Sequence, residues 1–180
     1  MNINYQLLLD KKLDEIIKSG KTPSLLLHSC CAPCSSYVIE YLSRYFAITV
    51  FYYNPNISPE DEYRKREETQ KEFLRKGEFK NPVSFLQGDY DEELFFRSVQ
   101  GYEAEREGGA RCEKCFCLRL RETAKTASQE GFDYFCTTLS VSPHKNAQLI
   151  NQIGFELEKE LGISFLPADF KKRGGYQRSI

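Results

Sequence analysis

The sequence predicts a three-layer α/β fold, a mainly parallel sheet with helices on both faces. Three observations lead there. Short apolar runs of strand length, Ser24–His28, Ala47–Tyr53, Val83–Leu86, Tyr134–Leu139 and Ile163–Leu166, alternate with longer stretches of helical spacing. Strands that alternate with helices imply right-handed βαβ crossovers, and therefore parallel neighbours. Each apolar run also ends in polar or reactive residues, which in such sheets mark the carboxyl rim where ligands bind. At 180 residues the chain is long enough for one α/β domain, 1–180, of the Rossmann-like or HUP-like kind, and marginal for two.

The elements follow in order. Tyr5, Leu8, Leu9, Leu13, Ile16 and Ile17 recur at helical spacing over residues 4–19, and Gly20 is a stop signal. Ser24–His28, after a proline, reads as a buried strand, and a helix is expected from Ser35 to Tyr45. Ala47–Tyr53 is β-branched and aromatic, and it breaks at the turn Asn54-Pro55-Asn56. A charged helix opens at Pro59 and ends before Gly77. Val83–Leu86 is the third strand, stopped by Gly88-Asp89, with a helix over 91–99. The loop Tyr102–Gly109 leads into a long helix, Arg111–Gln129, and then the strand Tyr134–Leu139. Ser140-Val141-Ser142-Pro143 precedes a helix to Leu161, and Ile163–Leu166 is the last strand.

Composition narrows the function classes. Hydrophobic residues make up 41% and charged residues 28% of the chain, the balance of a folded, soluble protein. A formal net charge of −1 gives no global pull towards nucleic acid or a membrane, so a nucleic-acid partner needs a local basic patch. Arg119, Arg121 and Lys125 on one helix, and Lys171-Lys172-Arg173 near the end, are the candidates. The first twenty residues lack a basic region followed by an apolar core, so they do not read as a signal peptide. No apolar run approaches the roughly 18 residues of a membrane span. The expectation is a cytoplasmic protein with no membrane partner.

The chemistry concentrates in cysteine. Cys30-Cys31-Ala-Pro-Cys34 and Cys112-Glu-Lys-Cys115 form two tight clusters, each at the start of a helix. In a reducing cytosol such clusters are more often metal-binding than bridged. Cys112 and Cys115 share a helix face, whereas Cys117 lies roughly 200° round from Cys115 and points away. Cys136 sits in an apolar strand, where free cysteine packs as a small hydrophobe. The remaining five thiols exceed what one tetrahedral zinc or one cubane cluster takes. A [4Fe–4S] cluster on Cys30, Cys31, Cys112 and Cys115 is expected, with Cys34 left to hold a second metal or to face the substrate. No glycine-rich phosphate loop occurs.

Five motifs in order resemble one family. They are His-Ser-Cys-Cys-Ala-Pro-Cys at 28–34, Tyr-Tyr-Asn-Pro-Asn-Ile at 52–57 and Arg-Cys-Glu-Lys-Cys-Phe-Cys-Leu-Arg-Leu at 111–120. Thr-Thr-Leu-Ser-Val-Ser-Pro-His-Lys-Asn at 137–146 and Asp-Phe-Lys-Lys-Arg-Gly-Gly-Tyr at 169–176 complete the set. Together they are similar to the cobalamin-independent epoxyqueuosine reductases. The resemblance implies an iron–sulfur oxidoreductase that reduces the epoxide of epoxyqueuosine to queuosine at a tRNA wobble position. It also implies a second metal beside the cluster, iron or zinc, and an external electron donor. Many relatives continue beyond the Gly-Gly-Tyr stretch with a further helix, whereas this sequence stops at Ile180.

Epoxide-to-alkene reduction takes two electrons and two protons, and side chains cannot supply the electrons. On this reading Cys34 serves the reaction directly, and the proton donor is one of His28, Asp89 and Tyr176. Asn54, Asn56, Thr137, Ser140 and Lys145 are expected to line the substrate pocket. Arg111, Arg119, Lys171, Lys172 and Arg173 are expected to contact tRNA phosphates, which position a nucleic acid without reading its sequence. Two rivals carry different predictions. A zinc-stabilised nucleic-acid-binding module would be colourless and without redox activity. A thiol-based tRNA sulfur-transfer enzyme, with Cys34 or Cys31 as persulfide carrier, would ordinarily bring the ATP loop that is absent here.

Overall fold

Five parallel strands in the order β3-β2-β1-β4-β5 form the centre of the computed structural model, which describes residues 2–106 and 108–172. They are β1 (Ser24–His28), β2 (Ala47–Tyr52), β3 (Val83–Gln87), β4 (Tyr134–Thr137) and β5 (Ser164–Phe165). The helices are α1 (Tyr5–Ser19), α2 (Ala32–Leu42), α3 (Glu60–Lys76), α4 (Glu92–Ser98), α5 (Ala110–Glu130) and α6 (Ala147–Leu161). The chain winds outward from β1 through β2 to β3, then crosses to the far side of β1 for β4 and β5. This reversal places the switch point between β1 and β4, where β1 Leu27 pairs with Cys136 and His28 with Thr137.

Side-chain alternation builds the two core layers. Leu25 and Leu27 of β1 face one way, against Leu9, Leu13 and Ile16 of α1 and Val38, Ile39 and Leu42 of α2. Leu26 faces the other way with Phe135, against Phe116, Leu120 and Ala124 of α5 and Ile150, Ile153 and Leu157 of α6. A strand buried on both faces is apolar throughout, as Leu25-Leu26-Leu27 shows. Each such leucine contributes about 1.5–3 kcal/mol.

The helices stop where local chemistry dictates. Asn4 and Asn146 cap α1 and α6 by accepting from the amides of Leu7 and Leu149, each at 3.2 Å. Gly131 ends α5 in the left-handed region, with φ of 79°.

Several boundaries differ from the sequence expectation, among them the end of α2 at Leu42 and not Tyr45. α2 begins at Ala32, not Ser35, because Pro33 lies in the first turn, where its missing amide costs nothing. β4 ends at Thr137, and Leu139–Val141 forms a 3-10 turn. β5 keeps only Ser164 and Phe165 of the expected strand. None of the helices among the described residues is long and apolar enough to cross a membrane.

After β5 the chain is held by buried side chains, Asn151 first among them. Asn151 Nδ2 donates to the Ala147 and Ala168 carbonyls, both at 2.8 Å, and its Oδ1 accepts from the Ala168 amide at 3.0 Å. Asn151→Ala would leave both backbone groups of Ala168 buried without partners. An unmade buried hydrogen bond costs about 1–3 kcal/mol, so a loss of about 2–4 kcal/mol is expected in urea unfolding. A loss below about 0.5 kcal/mol, the size of an ordinary surface change, would contradict this account.

Candidate metal centre

Helices of a parallel α/β sheet run opposite to the strands, so their first turns lie on the carboxyl rim. This places the start of α2, with Cys31 and Cys34, beside the end of β1. The start of α5, with Cys112 and Cys115, lies on the same rim, and α5 packs on β1 and β4. Both cysteine clusters therefore sit at the switch point, as the strand-end pattern required.

Three thiols already meet. The sulfurs of Cys31 and Cys34 are 3.0 Å apart and those of Cys30 and Cys31 4.0 Å, and all three lie within 4.8 Å of one another. The edge of a sulfur tetrahedron around zinc is about 3.8 Å, given Zn–S bonds of about 2.3 Å. The separations bracket that edge, so modest side-chain shifts would place the trio around one small, soft metal ion. Cys31 is the N-cap and Cys34 stands three residues on, so the positive end of α2 faces both sulfurs. Hydrogen bonding with the Cys31 and Cys34 thiols holds the Cys30 thiol well below its usual range. In turn Cys31 is pushed up to about 11 and Cys34 is raised further. The three therefore titrate as a linked set and not singly.

Cys112 and Cys115 are not part of that trio. They line a neighbouring cavity of about 140 Å³ with Phe116, Arg119, His144 and Lys145. Cys30 and Cys112 pack against the same apolar cluster, which includes Phe116. Cys136 is buried in the opposite layer and pushed up to about 12 by that burial. Cys117 lies between α5 and α6 beside Ile153 and Leu157, and both residues pack as expected.

The loop carrying the trio is held from outside. Gln70 of α3 is fully buried, and its Oε1 accepts from the Ser29 hydroxyl at 2.7 Å and from Ser35 at 3.1 Å. These two serines bracket the Cys-Cys-Ala-Pro-Cys stretch. Asn54 Nδ2 donates to the Ser29 carbonyl at 2.9 Å. His28 Nε2 donates to the Tyr53 carbonyl at 3.0 Å, and Nδ1 accepts from the Thr137 hydroxyl at 2.9 Å. Burial first, and the Arg119 charge second, lower the His28 pKa to about 4.

These contacts redistribute the roles expected of the strand-end residues. His28 is fully buried with both ring nitrogens engaged, so its geometry is that of a brace. Asn54 and Thr137 brace the rim with it. Ser140 accepts from the Phe170 amide at 3.1 Å and holds the returning chain. Asn54, Asn56 and Thr138 each keep one buried side-chain oxygen without a partner. Asp89 is exposed at the end of β3, and Lys145 borders the cavity.

Among the expected phosphate contacts, Arg119 is only 4% exposed and faces the interior. Its α5 neighbours Arg121 and Lys125 lie beside Glu160 and Glu122, at 2.9 and 3.9 Å. Arg111 lies over the Phe95 ring, 5.9 Å from its centroid. Lys171 is paired with Asp169 at 3.0 Å, and Lys172 is exposed. Arg173 and Tyr176 lie outside the described residues.

Gln70 escaped the sequence reading because it is one uncharged residue in a densely charged helix. Its signal was positional. Tyr63, Glu67 and Gln70 recur at i, i+4 and i+7, and they form the buried stripe of α3.

Comparison with known proteins is consistent along the chain. A family model described as epoxyqueuosine reductase QueH matches residues 25–180. The chain is 44% identical to a Streptococcus pyogenes protein of that description over 99% of this chain and 71% of the relative. With a Staphylococcus epidermidis relative it shares 41% identity over 99% of this chain and 76% of the relative. A Thermotoga maritima relative is 35% identical over 87% of this chain and 80% of its own length.

Gln70→Leu removes the acceptor that both serines use and leaves the thiols themselves intact. Losing an outer partner of a metal ligand typically costs about 10–100-fold in affinity. A drop of that size is expected in anaerobic Co²⁺ titration, with the helical circular dichroism unchanged. Native affinity in the variant would show that Gln70 does not hold the loop.

Proposed function

The chain belongs to the epoxyqueuosine reductase QueH family, and on that footing we propose that it reduces the epoxide of epoxyqueuosine in tRNA to the alkene of queuosine. The observation that carries the proposal is the gathering of five thiols on one rim, three of them with sulfurs within 4.8 Å. The donor set is all soft sulfur, which suits iron–sulfur and zinc chemistry rather than calcium or magnesium. Cys30 and Cys31 with Cys112 and Cys115 would hold a [4Fe–4S] cluster, and Cys34 a second metal, iron or zinc. Such a centre supplies the electrons that epoxide reduction needs, one at a time, from an external donor.

The protein's own residues do the remainder. Two electrons and two protons convert the epoxide to an alkene and one molecule of water. Gln70, Ser29 and Ser35 fix the loop that presents Cys34. His28, Asn54 and Thr137 brace the strand ends behind it. With both His28 ring nitrogens engaged, Asp89 is the proton donor we favour among the described residues. Asn56 and Lys145 are proposed to contact the modified base. Arg111, Lys171 and Lys172 are proposed to meet tRNA phosphates, with Arg173 on the same segment.

Metal analysis of protein purified without oxygen tests the centre. About four iron and four acid-labile sulfide per chain are expected for one cubane, with iron in excess where a second metal is iron. Cys112→Ala and Cys115→Ala should each lose iron. Stoichiometric zinc without sulfide would overturn the reductase reading. For the proton donor, Asp89→Asn should slow turnover by about 10²–10⁴-fold with iron content unchanged; a native rate would exclude Asp89. Binding to tRNA should weaken steeply with salt, with a log–log slope of about −0.7 to −0.9 per phosphate contact.

A further inference from the structure

Three charged side chains are buried among the described residues: Glu67, Asp169 and Arg119. Glu67 is bridged by Arg64 and Lys71, each at 3.1 Å. Asp169 is paired with Lys171 at 3.0 Å. Arg119 has no carboxylate partner among the described residues. Its Nε donates to the Cys115 carbonyl at 3.3 Å, and the guanidinium makes no other hydrogen bond among the described residues. The Phe116 ring, with its centroid 5.9 Å away, offers a weak cation–π contact and no neutralising charge.

A buried cation without a counter-charge is costly, and folded proteins pair such groups. Among the described residues, the groups lining the cavity with Arg119 that can carry negative charge are the Cys112 and Cys115 sulfurs. The residue lies four positions after Cys115 and seven after Cys112, on the same face of α5, and lines the cavity with both. Across the rim its charge also bears on Cys30. Arg119 thus lines the cavity with one cysteine group and acts on the other through its charge, from an apolar wall that includes Phe116 and Leu149.

Resting on the reading of these cysteines as metal ligands, we infer that Arg119 is a positioning residue: its buried charge is matched by the thiolates once they hold a metal. Four thiolates around a divalent ion leave a net negative centre. A fixed cation beside it favours metal loading in the same way that it favours each thiolate. One-electron reduction adds another negative charge, so the same cation favours the reduced state. Arginine suits this task because it stays charged when buried and is more weakly hydrated than an ammonium. Its burial also explains why it does not serve the nucleic-acid surface that its sequence neighbourhood suggested.

Arg119→Gln and Arg119→Lys in the full chain test this. Anaerobic Co²⁺ titration, followed by the thiolate charge-transfer band, should show about tenfold weaker binding in Arg119→Gln and near-native binding in Arg119→Lys. In reconstituted iron–sulfur protein, potentiometry should show the reduction equilibrium of Arg119→Gln falling about tenfold, which is about 59 mV to lower potential for one electron. Arg119→Lys should stay at the native potential. Native Co²⁺ affinity in Arg119→Gln, or equal losses in both variants, would overturn the inference. If Arg119→Gln does not fold, Arg119→Lys decides: native affinity supports a charge effect and a tenfold loss excludes it. Failure of both to fold without metal would assign Arg119 to the fold and refute the inference. A native protein that binds Co²⁺ through thiolate but assembles no iron–sulfur would remove the cluster reading, and the Co²⁺ comparison would still judge Arg119.

Discussion

Strand β1 is hydrogen-bonded on both sides along its length, to β2 and to β4, and the thiol loop begins where that pairing ends. The constraint continues one residue further through backbone and side chains. The Ser29 amide donates to the Phe51 carbonyl at 3.0 Å, extending the β2 ladder past the last strand residue. The Thr138 amide donates to the His28 carbonyl at 3.0 Å, doing the same for β4. His28, Asn54 and Gln70 then join the ends of β1, β2, β4 and the loop in one buried network. Each bond nets only about 1 kcal/mol, but leaving one unmade in a dry site costs about 1–3 kcal/mol. The loop therefore has a single favourable placement. Three sulfurs are brought together by the sheet, close to the spacing that a small metal ion takes.

Electrostatics on the rim depend on the same placement. Cys31, Cys34 and Cys112 stand at the positive opening ends of α2 and α5, and Cys115 lies a turn further along α5. Arg119 adds a full charge from within the core. A formal net charge of −1 conceals this arrangement, because much of the acidic content is spent elsewhere. On α3, Glu60, Glu62 and Glu72 pair with Arg64, Arg66 and Lys76 along the exposed face. Such exposed pairs contribute little to stability and leave the rim field largely untouched. The functional charge is local, fixed and mostly buried.

The parallel α/β architecture, the five-strand alternation and the rim location of both cysteine clusters were legible before any coordinates. They rest on periodicity and on strand-end chemistry, which local sequence records well. The packing roles of Cys117 and Cys136 were legible for the same reason, one from helical angle and the other from an apolar strand. The early start of α2 was missed because a proline normally signals a break, and only the observed first turn shows that its lost amide was unneeded there. The strand-end polar residues were read as ligand contacts, whereas His28, Asn54, Thr137 and Ser140 mainly hold the rim together. In sequence, a polar residue after a strand looks the same in either role.

The amino-acid order alone determined which residues could carry chemistry here: soft sulfur in two clusters, on one edge of a parallel sheet, with family motifs around them. Tertiary structure decided how those sulfurs divide, three meeting at the start of α2 and two lining the cavity beside Arg119. It also decided that a glutamine from a distant helix holds the loop and that an apparent surface arginine is buried. The reason is physical. Helical and strand periodicity depend on neighbours a few positions apart, which the chain itself specifies. Burial, hydrogen-bond completion and charge compensation depend on neighbours brought together across the sheet, such as Ser29 with Gln70 and Arg119 with Cys30, and those exist only once the chain has folded.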